Sequence, residues 1–182
     1  MENAPRDSAP LEIRRSRVLP EWIDYNGHLN VAYYVLAFDE AFDDFMDYVG
    51  IDAAHRAASG HSIFALELHV SYFNEVLEGA PLRFTFQLLD HDAKRLHYLL
   101  RMYHGETELH LASCEGVCVY VDAGARRSVP MPREVIARVG AVAGAQAGLD
   151  WPEEVGHVIG LPRRRPDRKR DPDLLSAAAP EK

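Results

Sequence analysis

The chain is short of cysteine, of long apolar runs and of any leader-like N-terminus, and each shortage excludes something. Its two cysteines, Cys114 and Cys118, lie four residues apart in a segment that reads as strand. A rise of roughly 3.3 Å per residue puts them about 13 Å apart, too far for a disulfide. With no His or Cys beside them at ligand spacing, they are expected to be buried free thiols, and no metal site is expected. No apolar run approaches the roughly 18 residues that span a bilayer, so no membrane segment is expected. The N-terminus, MENAPRDSAP, has no basic stretch followed by an apolar one, and the expected location is the cytoplasm. There is no internal repeat.

What is present is an ordinary globular balance. With 182 residues, 47% hydrophobic and 26% charged, the chain can bury one good core but is too short for two full-sized domains. The net charge of −8 is uneven: residues 1–160 carry 13 Lys/Arg against 24 Asp/Glu, whereas residues 161–182 carry 7 against 4. An acidic body disfavours nucleic acid as a partner, but it leaves room for a polyanionic small molecule held by a local basic cluster.

Periodicity supplies the elements. A strand is expected near 11–18. From Val31 to Val49 the residues Val31, Tyr34, Val35, Phe38, Phe42, Phe45 and Val49 recur at spacings of three and four, which predicts a helix with a wide apolar face. Asn30 is its expected cap and Gly50 its stop. After a loop over 51–61, alternation returns in 62–73 (Phe64, Leu66, Leu68, Val70, Tyr72), 82–90, 96–103 and 109–122. Four such strands in succession, joined by short turns, are expected to be antiparallel. One aromatic-rich helix and a run of strands imply an α+β fold in which the sheet curls around the helix. A weaker helix is expected over 130–144. The expected division is a flexible 1–10, a domain over 11–135, a C-terminal helix and loop over 136–160, and a basic, disordered tail over 161–182.

The chemistry is concentrated in residues 21–34, EWIDYNGHLNVAYY. Asp24, Asn26, His28 and Asn30 occupy alternate positions around Gly27, directly before the helix start. Hydrolysis of an activated acyl compound needs a base or nucleophile, oxyanion donors and a way to orient water. Asp24 can be the first, the backbone N–H groups of Gly27 and His28 the second, and the side chains of Asn26 and His28 the third. The same residues also fit a purely structural role, with Asp24 holding a turn, Asn30 capping the helix and His28 packed nearby.

The acid, two residues, glycine, and then a helix with an early tyrosine (Asp24, Gly27, Tyr34) resemble the signature of hot dog-fold thioesterases of the 4-hydroxybenzoyl-CoA type. The resemblance covers roughly residues 11–135. It implies a hot dog fold, a catalytic carboxylate at Asp24, an acyl-CoA substrate with no cofactor beyond its own CoA, and a homodimer or homotetramer. The Asp24-x-Asn26-x-His28 run is also similar to plant acyl-ACP thioesterases. Their following glutamate falls on Glu75, while their cysteine falls on Val76, so the likeness implies help from Glu75 but offers no thiol nucleophile. The run from Pro20 to Ala41 is similar to thioesterases of bacterial carnitine breakdown that act on betainyl-CoA. This implies a small acyl group with a quaternary ammonium, which Trp22, Tyr25, Tyr33 and Tyr34 could meet with aromatic faces; Tyr34 and Trp22 equally suit the core. The basic runs Arg163–Arg165 and Arg168–Arg170, or Arg83, Lys94, Arg95 and Arg101 on the strands, could meet CoA phosphates. Glu67 and His69 are expected at a sheet surface or subunit contact. Rival functions are a hot dog enoyl-CoA hydratase or dehydratase and a non-catalytic acyl-CoA-binding protein.

Overall fold

The computed structural model describes residues 8–161; most of the expected N-terminal arm and nearly all of the basic tail, with its arginine runs, lie outside them. The elements run β1 (Leu11–Arg17), a 3-10 turn (Pro20–Trp22), α1 (Val31–Val49), α2 (Ala53–Ser59), β2 (His61–Tyr72), β3 (Pro81–His91), β4 (Arg95–His104), β5 (His110–Asp122), β6 (Arg127–Ser128) and α3 (Arg133–Gln146).

Helix α1 begins and ends where its caps dictate. The Asn30 side chain accepts from the Ala32 N–H at 2.9 Å, and Gly50 closes the helix at φ 90°, a left-handed conformation that costs a glycine little. Tyr34, Phe38, Phe42, Phe45, Met46 and Val49 form its buried face. The sheet meets that face with rings of its own: Phe86 stacks on Phe45 at 3.6 Å between centroids, and Tyr98 on Phe42 at 4.4 Å. The expected inward residues of β3 and β4 are all buried, and Val135, Val139 and Val142 of α3 join the same core.

The strand order is β1-β3-β4-β5-β2, every pair antiparallel. Strands β3, β4 and β5 form the expected meander. Strand β2, however, pairs with β5 rather than with its chain neighbour β3, so residues 73–80 carry the chain across the sheet instead of turning a hairpin. The alternation expected along β2 is also broken. A bulge between Ala65 and Glu67 inserts one residue and reverses which side the following residues face. Leu68, Val70 and Tyr72 therefore face α1, whereas Phe64 opposes Val119 on the other side. The loop expected over 51–61 contains α2, capped by Asp52 on the His55 N–H at 2.7 Å.

The outer face of the sheet, away from α1, mixes polar and apolar residues, and it carries Glu67 and His69 opposite Val117 and Glu115. Residues 149–157 run across this face. Arg101 donates twice to Glu154, at 2.8 and 3.1 Å, the Gln87 amide donates to the Asp150 carbonyl, and the Gly156 N–H donates to Glu115.

Candidate active site

Between the 3-10 turn and α1 the chain makes a tight loop. Ile23 and Leu29 pair across its base, the Asp24 N–H donates to the His28 carbonyl at 3.1 Å, and the Gly27 N–H donates to the Asp24 carbonyl at 3.0 Å. Gly27 has φ 85°, which favours glycine at the tip. The Leu29 N–H donates to the Val76 carbonyl at 2.9 Å, and this bond ties the loop to the segment that follows β2. The result is a cavity of about 400 Å³ lined by Asp24, His28, Leu29, Val31 and Tyr34 from the loop and helix, and by Tyr72, Phe73, Asn74 and Glu75 from the segment.

Asp24 is held by its own neighbour: Oδ1 accepts from the Asn26 N–H at 2.7 Å, and Oδ2 lies 3.4 Å from the Asn26 amide nitrogen. The turn-holding role is thus real, and it leaves Oδ2 only weakly engaged beside the cavity. Asn26 supports Asp24 but does not itself line the cavity. His28 Nε2 lies 3.8 Å from Glu75 Oε2, beyond a direct hydrogen bond and within reach of a bridging water. The Tyr34 hydroxyl donates to the Asn74 carbonyl at 3.2 Å. Burial, and then the neighbouring Tyr72 and Glu75, push its pKa up to about 12, so it remains a neutral donor.

The expected oxyanion donor at Gly27 is corrected by this geometry, because its N–H already serves the Asp24 carbonyl. Val31 is the first helical residue. Its N–H, like that of His28, has no acceptor among the described residues, and both residues line the cavity.

Most of the expected aromatic cage lies elsewhere. Trp22 is buried and stacks on Tyr33 at 5.8 Å, and Tyr25 is 96% exposed. Tyr34 remains, and its companions are Tyr72, edge-on to it at 5.2 Å, and Phe73. The signal for these two was their place directly before Glu75, at the end of an alternating run. Of the strand cations proposed for phosphate, Arg83 is paired with Glu108, Arg95 with Asp92 and Arg101 with Glu154. The thiols of Cys114 and Cys118 are buried, which pushes each up to about 12, so neither is poised as a nucleophile. Among the described residues no group of three or more His, Cys, Asp or Glu could hold a metal, and no helix is long and apolar enough to cross a membrane.

Residues 18–139 match the model of the thioesterase-like superfamily. The chain belongs to that superfamily. This thioesterase is 48% identical over 145 residues to the betainyl-CoA thioesterase of Pseudomonas aeruginosa, covering 80% of this chain and 91% of that one. It is 35% identical over 156 residues to an L-carnitine dehydrogenase/betainyl-CoA thioesterase of Rhizobium meliloti, covering 86% of this chain but only 31% of that longer protein. Its structure matches a Staphylococcus aureus protein solved in complex with CoA, at a TM-score of 0.79 and 27% identity over 84% of this chain and 97% of that one. A 1,4-dihydroxy-2-naphthoyl-CoA thioesterase from Synechocystis shares the fold at a TM-score of 0.62 and 16% identity, over 76% and 97%. The thioesterase is a thioester hydrolase of the hot dog fold acting on acyl-CoA.

Proposed function

We propose that this thioesterase hydrolyses betainyl-CoA to betaine and free CoA, with Asp24 as the catalytic base. The observation that carries the mechanism is the meeting of Asp24, His28 and the Val31 N–H around one cavity at the start of α1. The acyl group follows from the 48% identical relative of that activity. Asp24 takes a proton from water as the water oxygen attacks the thioester carbonyl. The Val31 and His28 N–H groups, at the positive end of the helix dipole, stabilise the oxyanion. The C–S bond then breaks, the CoA thiolate leaves and is protonated, and the acid departs as its carboxylate. His28 holds the attacking water, and Asn26 keeps Asp24 aimed.

Asp24→Asn keeps the acceptor for the Asn26 N–H and removes the base. It is expected to lower kcat at least about 100-fold in a free-thiol assay, with an unchanged circular dichroism spectrum. Turnover within threefold of the native protein would sink the assignment.

The acting form is a homodimer joined along β2, an edge strand that carries exposed Phe64, Leu66 and Leu68. It acts in the cytoplasm, where the two free cysteines remain reduced.

A further inference from the structure

In a betainyl thioester the quaternary nitrogen is one methylene from the carbonyl, so whatever recognises the cation must share a cavity with the catalytic base. A trimethylammonium group has no N–H to donate. It can be met only by aromatic faces and by the field of a carboxylate. The Asp24 cavity contains both. Tyr72 and Phe73 line it and are each about half exposed, and no Lys or Arg lines it to repel a cation. It contains two carboxylates: Asp24, which is held by Asn26, and Glu75, whose side chain is 73% exposed and lies 3.8 Å from His28 Nε2.

We infer that Glu75, with the rings of Phe73 and Tyr72, forms the subsite that selects a cationic acyl group, and that Glu75 acts in specificity rather than as a helper of the base. This rests on the betainyl-CoA reading above. The backbone explains how the residues stay together: the Phe73 and Asn74 N–H groups both donate to the Leu111 carbonyl, at 2.9 and 3.2 Å, and the Asn74 side chain donates to the His110 carbonyl at 2.7 Å. His110 in turn packs against the Phe73 ring at 4.6 Å between centroids. The wall is fixed to β5 before any substrate arrives, so little ordering is needed on binding.

The test compares betainyl-CoA with 3,3-dimethylbutyryl-CoA, which has the same shape with carbon in place of the charged nitrogen. The readout is the ratio of their kcat/KM values. Glu75→Gln and Phe73→Leu are each expected to lower that ratio about threefold, and the double variant about tenfold, mainly through KM for the cationic ester. Because Glu75 is exposed, the ratio of the native protein should also fall as salt is raised, and that of Glu75→Gln, which keeps only Asp24, should fall less. Equal losses on both esters, with kcat falling and the ratio unchanged, would overturn the proposal by making Glu75 a catalytic helper. A native preference for the cation that survives both substitutions would overturn the subsite alone. A native protein that hydrolyses both esters without preference would overturn the subsite and the betainyl reading together. Asp24→Asn, inactive on both, separates all of these from failure of the base assignment.

Discussion

Gly116 on β5 faces the ring of Tyr98, and a Cβ there would lie 2.5 Å from the Tyr98 hydroxyl oxygen. Tyr98 is 3% exposed and stacked between Phe42 and Phe86, so the ring can move aside only by disturbing that stack. Gly116→Ala should therefore destabilise the protein by about 2 kcal/mol, as overpacking does. Urea denaturation measures this, and a change below about 0.5 kcal/mol would show that the ring can shift. The same close packing decides which aromatics reach the site. Tyr33 and Tyr34 are adjacent, hence about 100° apart around α1, and only one can face the cavity. The recurrence of Tyr34, Phe38, Phe42 and Phe45 identifies the inward face, so Tyr34 was legible in the sequence. Trp22 was readable as a core residue and is one; its stacking on Tyr33 was not, because an aromatic beside the Asp24 loop looks alike whether it lines the cavity or braces the loop. The loop around Asp24 was readable because its bonds span two to four residues. The opposite wall, Tyr72 to Glu75, is brought in by the bond from Leu29 to Val76, across 47 residues, and only the family resemblance pointed to Glu75.

Among the elements, α1 and the β3-β4-β5 meander were legible because caps, periodicity and short turns are all local signals. The position of β2 was not, since a connection of eight residues can close a hairpin or cross a sheet, and the pairing with β5 joins residues about 40 to 60 positions apart. The bulge at Ala65–Glu67 escaped for a similar reason: a single extra residue leaves the run looking like continuous alternation. The segment over 149–157 has no periodicity, yet it is fixed to the sheet by Arg101 and Glu154. The hydrogen bond from Arg101 holds the Glu154 carboxyl down from its ordinary 4.5 to about 2. A lowered folded-state value means that the attachment contributes fully above pH 4.5 and is lost as pH falls from there towards 2. Trp151 lies on this segment, edge-on to His97 at 6.0 Å, whereas Trp22 is buried in the core. Acid titration of Trp151 fluorescence in a Trp22→Phe background should show the segment releasing between those limits. In Arg101→Met the release should begin at higher pH. An identical titration in both proteins would mean that the ion pair does not hold the segment.

On the scale of the whole molecule, the sheet closes on α1 along its inner face and is crossed by residues 149–157 on its outer face, but its β2 edge stays open. Twelve residues long, β2 pairs among the described residues only with β5, and exposed Phe64, Leu66 and Leu68 lie along it. A long apolar edge left unpaired would invite uncontrolled sheet addition, and natural proteins blunt such edges or cover them. In the proposed homodimer, pairing of β2 with its copy in a second chain would cover it with a two-fold contact that closes on itself. The same contact would lie beside the Asp24 cavity, because Tyr72, at the end of β2, lines it. Leu66→Lys places a charge in the middle of the edge and should convert a dimer to a monomer in multi-angle light scattering at micromolar concentration, with a parallel loss of thioesterase turnover. A native protein that is monomeric under those conditions would refute the edge-pairing. A Leu66→Lys monomer with full turnover would show instead that each chain completes its own site.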